Sequence, residues 1–246
     1  MTWTWFHRLG SPPYIYRLAG RLTPWFGWTA ALLLLAGLYD GLVIAPPDYQ
    51  QGDGFRIIYV HVPAATLSVM IVYSTMALAA AAGLIWRIKV AHAVAASCAP
   101  IGASFTLVTL ITGSLWGKPM WGTYWAWDPR LTSELLMLFL YLGYMGLRSA
   151  FDDLQRADRA SAVLAIVGAV NVPIVHYSVV WWNSLHQGST LSLSATDNIA
   201  TAMLIPLLLS ILGFTLYFAA ILLVRLRGEI LRRERSASWI REALSS

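Results

Sequence analysis

Four stretches of this chain carry no Asp, Glu, Lys or Arg: residues 57–86, 90–117, 160–196 and 198–224. Each exceeds the roughly 20 residues that cross a bilayer core as a helix. Two shorter runs join them: 25–45, interrupted only by Asp40, and 131–147, carrying only Glu134. These runs are continuously apolar, not alternating, so they read as helices and not as barrel strands. The composition agrees: 58% of the 246 residues are hydrophobic and only 12% charged, against roughly a quarter charged in soluble domains. The expected fold is an all-α integral membrane protein with six transmembrane helices, forming one polytopic domain over residues 1–246.

Lys and Arg set the orientation of such helices. With six spans, fourteen of the seventeen Lys and Arg fall on one side. Arg56, Lys118 and Arg130 alone fall on the other. Both termini are therefore expected in the cytoplasm. The net charge of +5 then reflects membrane topology and contact with anionic lipid, with no nucleic acid partner. The first apolar run starts after Arg8, Arg17 and Arg21 and reads as a retained helix. Cys98 is the only cysteine, which excludes an internal disulfide, a Cys-based zinc site and a C-x-x-C-H haem attachment site. No G-x-x-x-x-G-K-[ST] motif occurs, so this chain supplies no P-loop for ATP.

Three loops are expected on the outer face: 46–56, 116–130 and 182–197. Two of the five histidines fall there. His61 lies at the outer end of the second span, where Pro63 suits the first turn of a helix. His186 lies just beyond the fifth. His176, ten residues earlier, would sit roughly 15 Å deeper if the helix continued. It is either a hydrogen-bonded intramembrane residue or a group beside the site. His7 and His92 fall near helix ends on the other side and read as interfacial polar residues. A pair of imidazoles from two helices can hold zinc, copper or iron, haem iron included.

Trp25, Trp28, Trp86, Trp181 and Trp182 suit an interfacial aromatic belt. The segment 116–130, containing MWGTYWAWDPR, does not. Trp116, Trp121, Tyr124, Trp125 and Trp127 crowd into it, interleaved with Gly117, Lys118, Pro119 and Gly122. A dense aromatic surface at a membrane face suits a large planar apolar ligand such as a porphyrin. Its propionates would need Arg56, Lys118 or Arg130. Asp128 and Pro129 read as an N-cap and first-turn residue of the fourth helix, with Asp128 also able to touch ligand. Arg130 and Glu134, four apart, can pair on one helix face.

The motif WGTYWAWD and its surroundings, GSLWGKPMWGTYWAWDPRLTSELL, resemble the tryptophan-rich signature of haem-handling proteins of cytochrome c biogenesis. With PPDYQQGDGFRIIYVHVPAA and VNVPIVHYSVVWWNSLHQGST, nearly the whole chain resembles the cytochrome c maturation protein C (CcmC) family. That resemblance implies a bacterial inner-membrane protein that is not an enzyme. It implies b-type haem held non-covalently, in transit, with His61 and His186 as axial ligands and the tryptophan-rich loop as platform. It also implies delivery to the periplasmic haem chaperone CcmE, help from the small membrane subunit CcmD, and an ABC-type pair, CcmA and CcmB. A b-type electron-transfer subunit, a haem transporter and a structural subunit with an ordinary aromatic belt are the alternatives.

Overall fold

The computed structural model describes residue 8, residues 10–186, residue 188 and residues 199–245, with side chains as far as Arg241. The described residues form helices and connecting turns. α1 (Pro12–Tyr39) continues as a π-helical turn, Asp40–Ile44. A 3-10 turn, Asp53–Ile57, leads into α2 (Ile58–Thr66), a π-helical segment (Leu67–Tyr73) and α3 (Ser74–Trp86), which together make one rod. α4 is Lys89–Trp121 and α5 is Pro129–Ser149. α6 (Leu154–Gly168) and α7 (Asn171–Trp181) make a second jointed rod, followed by α8 (Thr201–Arg233) and α9 (Ser238–Ser245).

Five of these rods are long and apolar enough to cross a membrane: Pro12–Ile44, Asp53–Trp86, Lys89–Trp121, Leu154–Trp181 and Thr201–Arg233. The expectation from sequence was six. The remaining rod, α5, has 21 residues but carries Arg130, Glu134 and Arg148, and falls outside that group. Its polar groups turn inward. Glu134 is 4% exposed and accepts a hydrogen bond from Ser68 Oγ at 2.9 Å, while Leu136, Phe139 and Leu142 face out. In lipid the apolar face belongs outside, because a buried polar group needs a partner that hydrocarbon cannot give.

One core lies between the α2–α3 rod, α4, α5 and α6–α7. Tyr73, Met76, Met137, Tyr141 and Tyr144 fill it. Close approach depends on small residues: Gly102 of α4 lies against the Tyr141 ring, and Gly168 against the Tyr73 hydroxyl, where a Cβ has no room. α1 packs along α8, and that pair joins the rest through α8 against α4 and α2. At the end of the bundle bearing most of the arginines, a buried ion network ties α5, α6 and α8. Asp158 pairs with Arg148 and Arg233, and Glu229 with Arg148, Arg232 and Arg233.

Candidate functional site

His61 and His186 meet at the opposite end of the bundle. Their ring centroids are 6.3 Å apart, with planes inclined by 27°. His61 comes from the first turn of α2, on a rod that starts at Asp53; Pro63 therefore lies inside the helical rod and not at its start. The imidazole is set over Gly113 of α4, and its Nδ1 is 2.8 Å from Thr112 Oγ1. The Thr112 hydroxyl proton is committed to the Val108 carbonyl at 2.7 Å. The hydroxyl oxygen therefore accepts from His61 Nδ1–H, which leaves Nε2 with its lone pair. A ligating histidine is commonly oriented by such a second partner.

His186 reaches the site on the segment after α7. Asp128 holds that segment. Its Oδ1 accepts from Leu131 N–H at 3.0 Å, capping α5. Its Oδ2 accepts from Leu185 N–H at 2.9 Å and from the Ser184 hydroxyl. One carboxylate thus starts a helix and anchors the chain next to a candidate ligand. Burial works against its charge, but the hydrogen bonds from Ser184 and from the Leu131, Leu185 and Arg130 amides hold its carboxyl below the ordinary value.

The tryptophans divide into two groups. Trp116 and Trp121 stand edge to face at 5.1 Å, and each lies close to the His186 ring, at 6.1 and 6.2 Å. Trp116 Nε1 donates to Gln51 Oε1 at 2.9 Å. Trp125 packs edge-on against Trp127 at 5.5 Å, and its Nε1 is buried with no partner among the described residues. Trp116 and Trp121 belong to α4, so the segment expected as a 116–130 loop is a loop only from Gly122 to Asp128. Gly122, with φ 77°, ends the helix and donates its N–H to the Lys118 carbonyl. Tyr124 and Trp127 are exposed.

His61, Trp116, Trp121, Trp125, Arg130 and His186 line one small space of about 30 Å³. It shares His61, Ala65, Trp116, Arg130 and His186 with a cleft of about 410 Å³ between the α2 rod and α7. His176 of α7 borders that same cleft, and α7 ends at Trp181, so no continuous helix carries the chain from it to His186. Arg130 is the one of the three expected outer cations that lines these spaces. It does not pair with Glu134; its Nη1 donates to the Val175 carbonyl at 3.0 Å. Arg56 is turned away, to Asp53 and the Gly41 carbonyl, each at 2.9 Å. Lys118 donates to the Gly122 carbonyl and sits 5.3 Å from the Tyr124 ring centroid. His7 lies outside the described residues, as does most of the expected 182–197 loop beyond His186. His92 lies at the far end of the bundle.

Residues 5–241 match the family model described as heme exporter protein C. The chain is 50% identical to heme exporter protein C of Escherichia coli K12 over 242 residues, 98% of this chain and 97% of that protein. Identity to the Haemophilus influenzae protein of that name is 47% over 239 residues, 97% of each. For Bradyrhizobium diazoefficiens it is 48% over 225 residues, 92% of this chain and 85% of that protein. The chain belongs to the heme exporter protein C family.

In this member of the heme exporter protein C family, Thr112, Gly113, Gln51 and Ser184 support the site, and none carries a sequence signal of its own. Asp128 is the support that sequence did mark, as a cap. Asp128→Ala is expected to cost about 2 kcal/mol at that corner, from a lost cap and lost hydrogen bonds to the His186 segment. Cleavage by added protease after Trp182 should then rise by about tenfold; an unchanged rate would show that the segment is held otherwise. The pH sign follows from the lowered carboxyl. Its stabilisation is complete above the ordinary carboxylate range and is lost as pH falls below that range, through the lowered value of the folded state.

Proposed function

We propose that this chain binds haem at the outer membrane face between His61 and His186 and passes it to the chaperone CcmE during cytochrome c maturation. The observation that carries the reading is the His61–His186 pair, one imidazole from the α2 rod and one from the segment after α7, 6.3 Å apart in a tryptophan-lined space. No group of three or more His, Cys, Asp or Glu among the described residues is placed to hold a bare metal ion. Two imidazoles suffice when a porphyrin brings four nitrogens of its own.

The surroundings suit that cargo. The space between the imidazoles is too small for a porphyrin by itself, but both histidines and Arg130 also line the 410 Å³ cleft. Arg130 lines both and keeps Nε and Nη2 without a partner among the described residues. It and the unpaired Trp125 Nε1–H are candidate donors to propionate oxygens. Exposed Trp127 and Tyr124 would give a partner protein an aromatic edge beside the site. Haem here is b-type, non-covalent cargo. This chain's residues hold and release it, and do no bond-making chemistry.

Six spans complete this reading. α5 crosses the membrane with its polar face against the core. Both termini lie in the cytoplasm, and the protein sits in the bacterial inner membrane with CcmD, CcmA and CcmB. To test the reading, the chain is purified in detergent with haem supplied, then mixed with the soluble domain of CcmE. A Soret band on the chain, moving to the chaperone on mixing, is expected. A chain that takes up no haem overturns the reading, and a band that stays put on mixing overturns delivery.

A further inference from the structure

A cavity of about 790 Å³ lies at the other end of the bundle, where α3 turns into α4 beside the starts of α1 and α6 and the end of α8. Its floor is apolar, with Leu84, Val90 and Ile230. Its rim is cationic. Arg87, Lys89 and Arg159 line it, and none of their side chains has an ion pair or hydrogen bond with another described residue. The nearby acids are already used. Asp158 accepts both arms of Arg233, at 2.7 and 2.9 Å, as well as Arg148. Glu229 is shared by Arg148, Arg232 and Arg233. Glu234 is the one lining acid outside that network. The cavity therefore offers three cations against one free acid, above an apolar floor.

Two further observations say what such a space would take. Arg87 has φ 56° and is the only non-glycine residue with positive φ among the described residues. It ends α3 in the left-handed conformation where glycine is the usual residue. Backbone strain of this kind persists where the side chain it presents has a use. Trp86, immediately before it, is 62% exposed, as an interfacial tryptophan is. The rim is thus at headgroup depth and the floor at acyl depth.

We propose that this cavity binds an anionic phospholipid, with Arg87, Lys89 and Arg159 around the phosphate and Leu84, Val90 and Ile230 against the start of the acyl chains. Basic pockets between transmembrane helices on the cytoplasmic side are suited to such headgroups. The site is independent of the histidine pair. A lipid seated here would join α3, α4, α6 and α8 at the end of the bundle where α3 and α4 make their turn.

The test uses the full chain in detergent, with phosphatidylglycerol or phosphatidylcholine added in mixed micelles. Native mass spectrometry reads retained lipid, and thermal unfolding reads its effect. Phosphatidylglycerol, and not phosphatidylcholine, is expected to be retained and to raise Tm. The Arg87→Gly/Lys89→Gln/Arg159→Gln variant should bind it about 100-fold more weakly. Its lipid-free Tm should not fall, because glycine relaxes the Arg87 backbone. Arg17→Gln/Arg21→Gln, exposed charges of α1, should leave binding unchanged. Equal loss in that control would mean general surface attraction and would overturn the site. Inorganic phosphate giving the same Tm rise at matched concentration would overturn the lipid assignment in favour of a free anion.

Discussion

His61→Gly and His186→Gly are each expected to lose haem from the purified chain, with affinity falling by at least about 100-fold. Each removes one of two imidazoles, and no third histidine among the described residues lines the space they share. His176 borders the adjoining cleft and not the small space the pair lines. The same pocket must still exist in the variants, so free imidazole supplies the control. Added imidazole should restore the Soret band to either glycine variant, which a misfolded chain would not allow. Thr112→Val should act on the same ligand more weakly. It removes the oxygen that accepts His61 Nδ1–H at 2.8 Å while keeping the shape of α4, and loss of such an orienting partner typically costs 10- to 100-fold. Were both histidine variants to retain the parent spectrum unchanged, the pair would not be the ligand set. Trp116, Trp121 and Trp125 would then be membrane anchors.

The membrane plan was legible because lipid imposes it residue by residue. An uncharged run long enough to span must be a helix, and five of the expected runs are long apolar rods. The sixth stands apart from them. The run 131–147 looked like the others, yet α5 starts with Arg130, ends near Arg148 and buries Glu134 against Ser68. Spacing suggested an Arg130–Glu134 pair on one face, but spacing says nothing of partners 45 or 66 residues away, and those partners prevail. Local chemistry was readable where it was local: Asp128 caps α5 as its sequence requires. Gly117 and Pro119 misled in the other direction. They read as loop residues, yet α4 runs through both to Trp121 and stops only at Gly122, where positive φ leaves no alternative for a helix. The site was legible as types of residue and not as geometry. The histidines and Arg130 converge; Arg56 and Lys118, equal to Arg130 by charge and side, do not, because backbone carbonyls claim them.

Asp158→Ala is expected to destabilise the fold by about 3–5 kcal/mol, the usual cost of breaking a buried ion pair from one side. Asp158 is 6% exposed and bridges two arginines from different helices, Arg148 of α5 and Arg233 of α8. Removing it leaves both guanidinium groups at the bundle end with Glu229 as the one remaining acid of the network. Two cations sharing one carboxylate repel each other, and water must then enter between α5, α6 and α8. The comparison is Asp153→Ala, five residues earlier on the exposed start of α6. There the carboxylate caps a helix, accepting from Arg156 N–H at 2.8 Å, and its loss should cost about 1 kcal/mol. Unfolding of both variants in detergent decides the matter. A fall in stability at Asp158 several times that at Asp153 shows that the network holds the helices together. Equal small losses would show that water already solvates it. The effect should not reach the other end of the bundle directly: the histidine pair is built from α2, α4 and the Asp128 corner, so an Asp158 variant that still folds should bind haem with its usual spectrum.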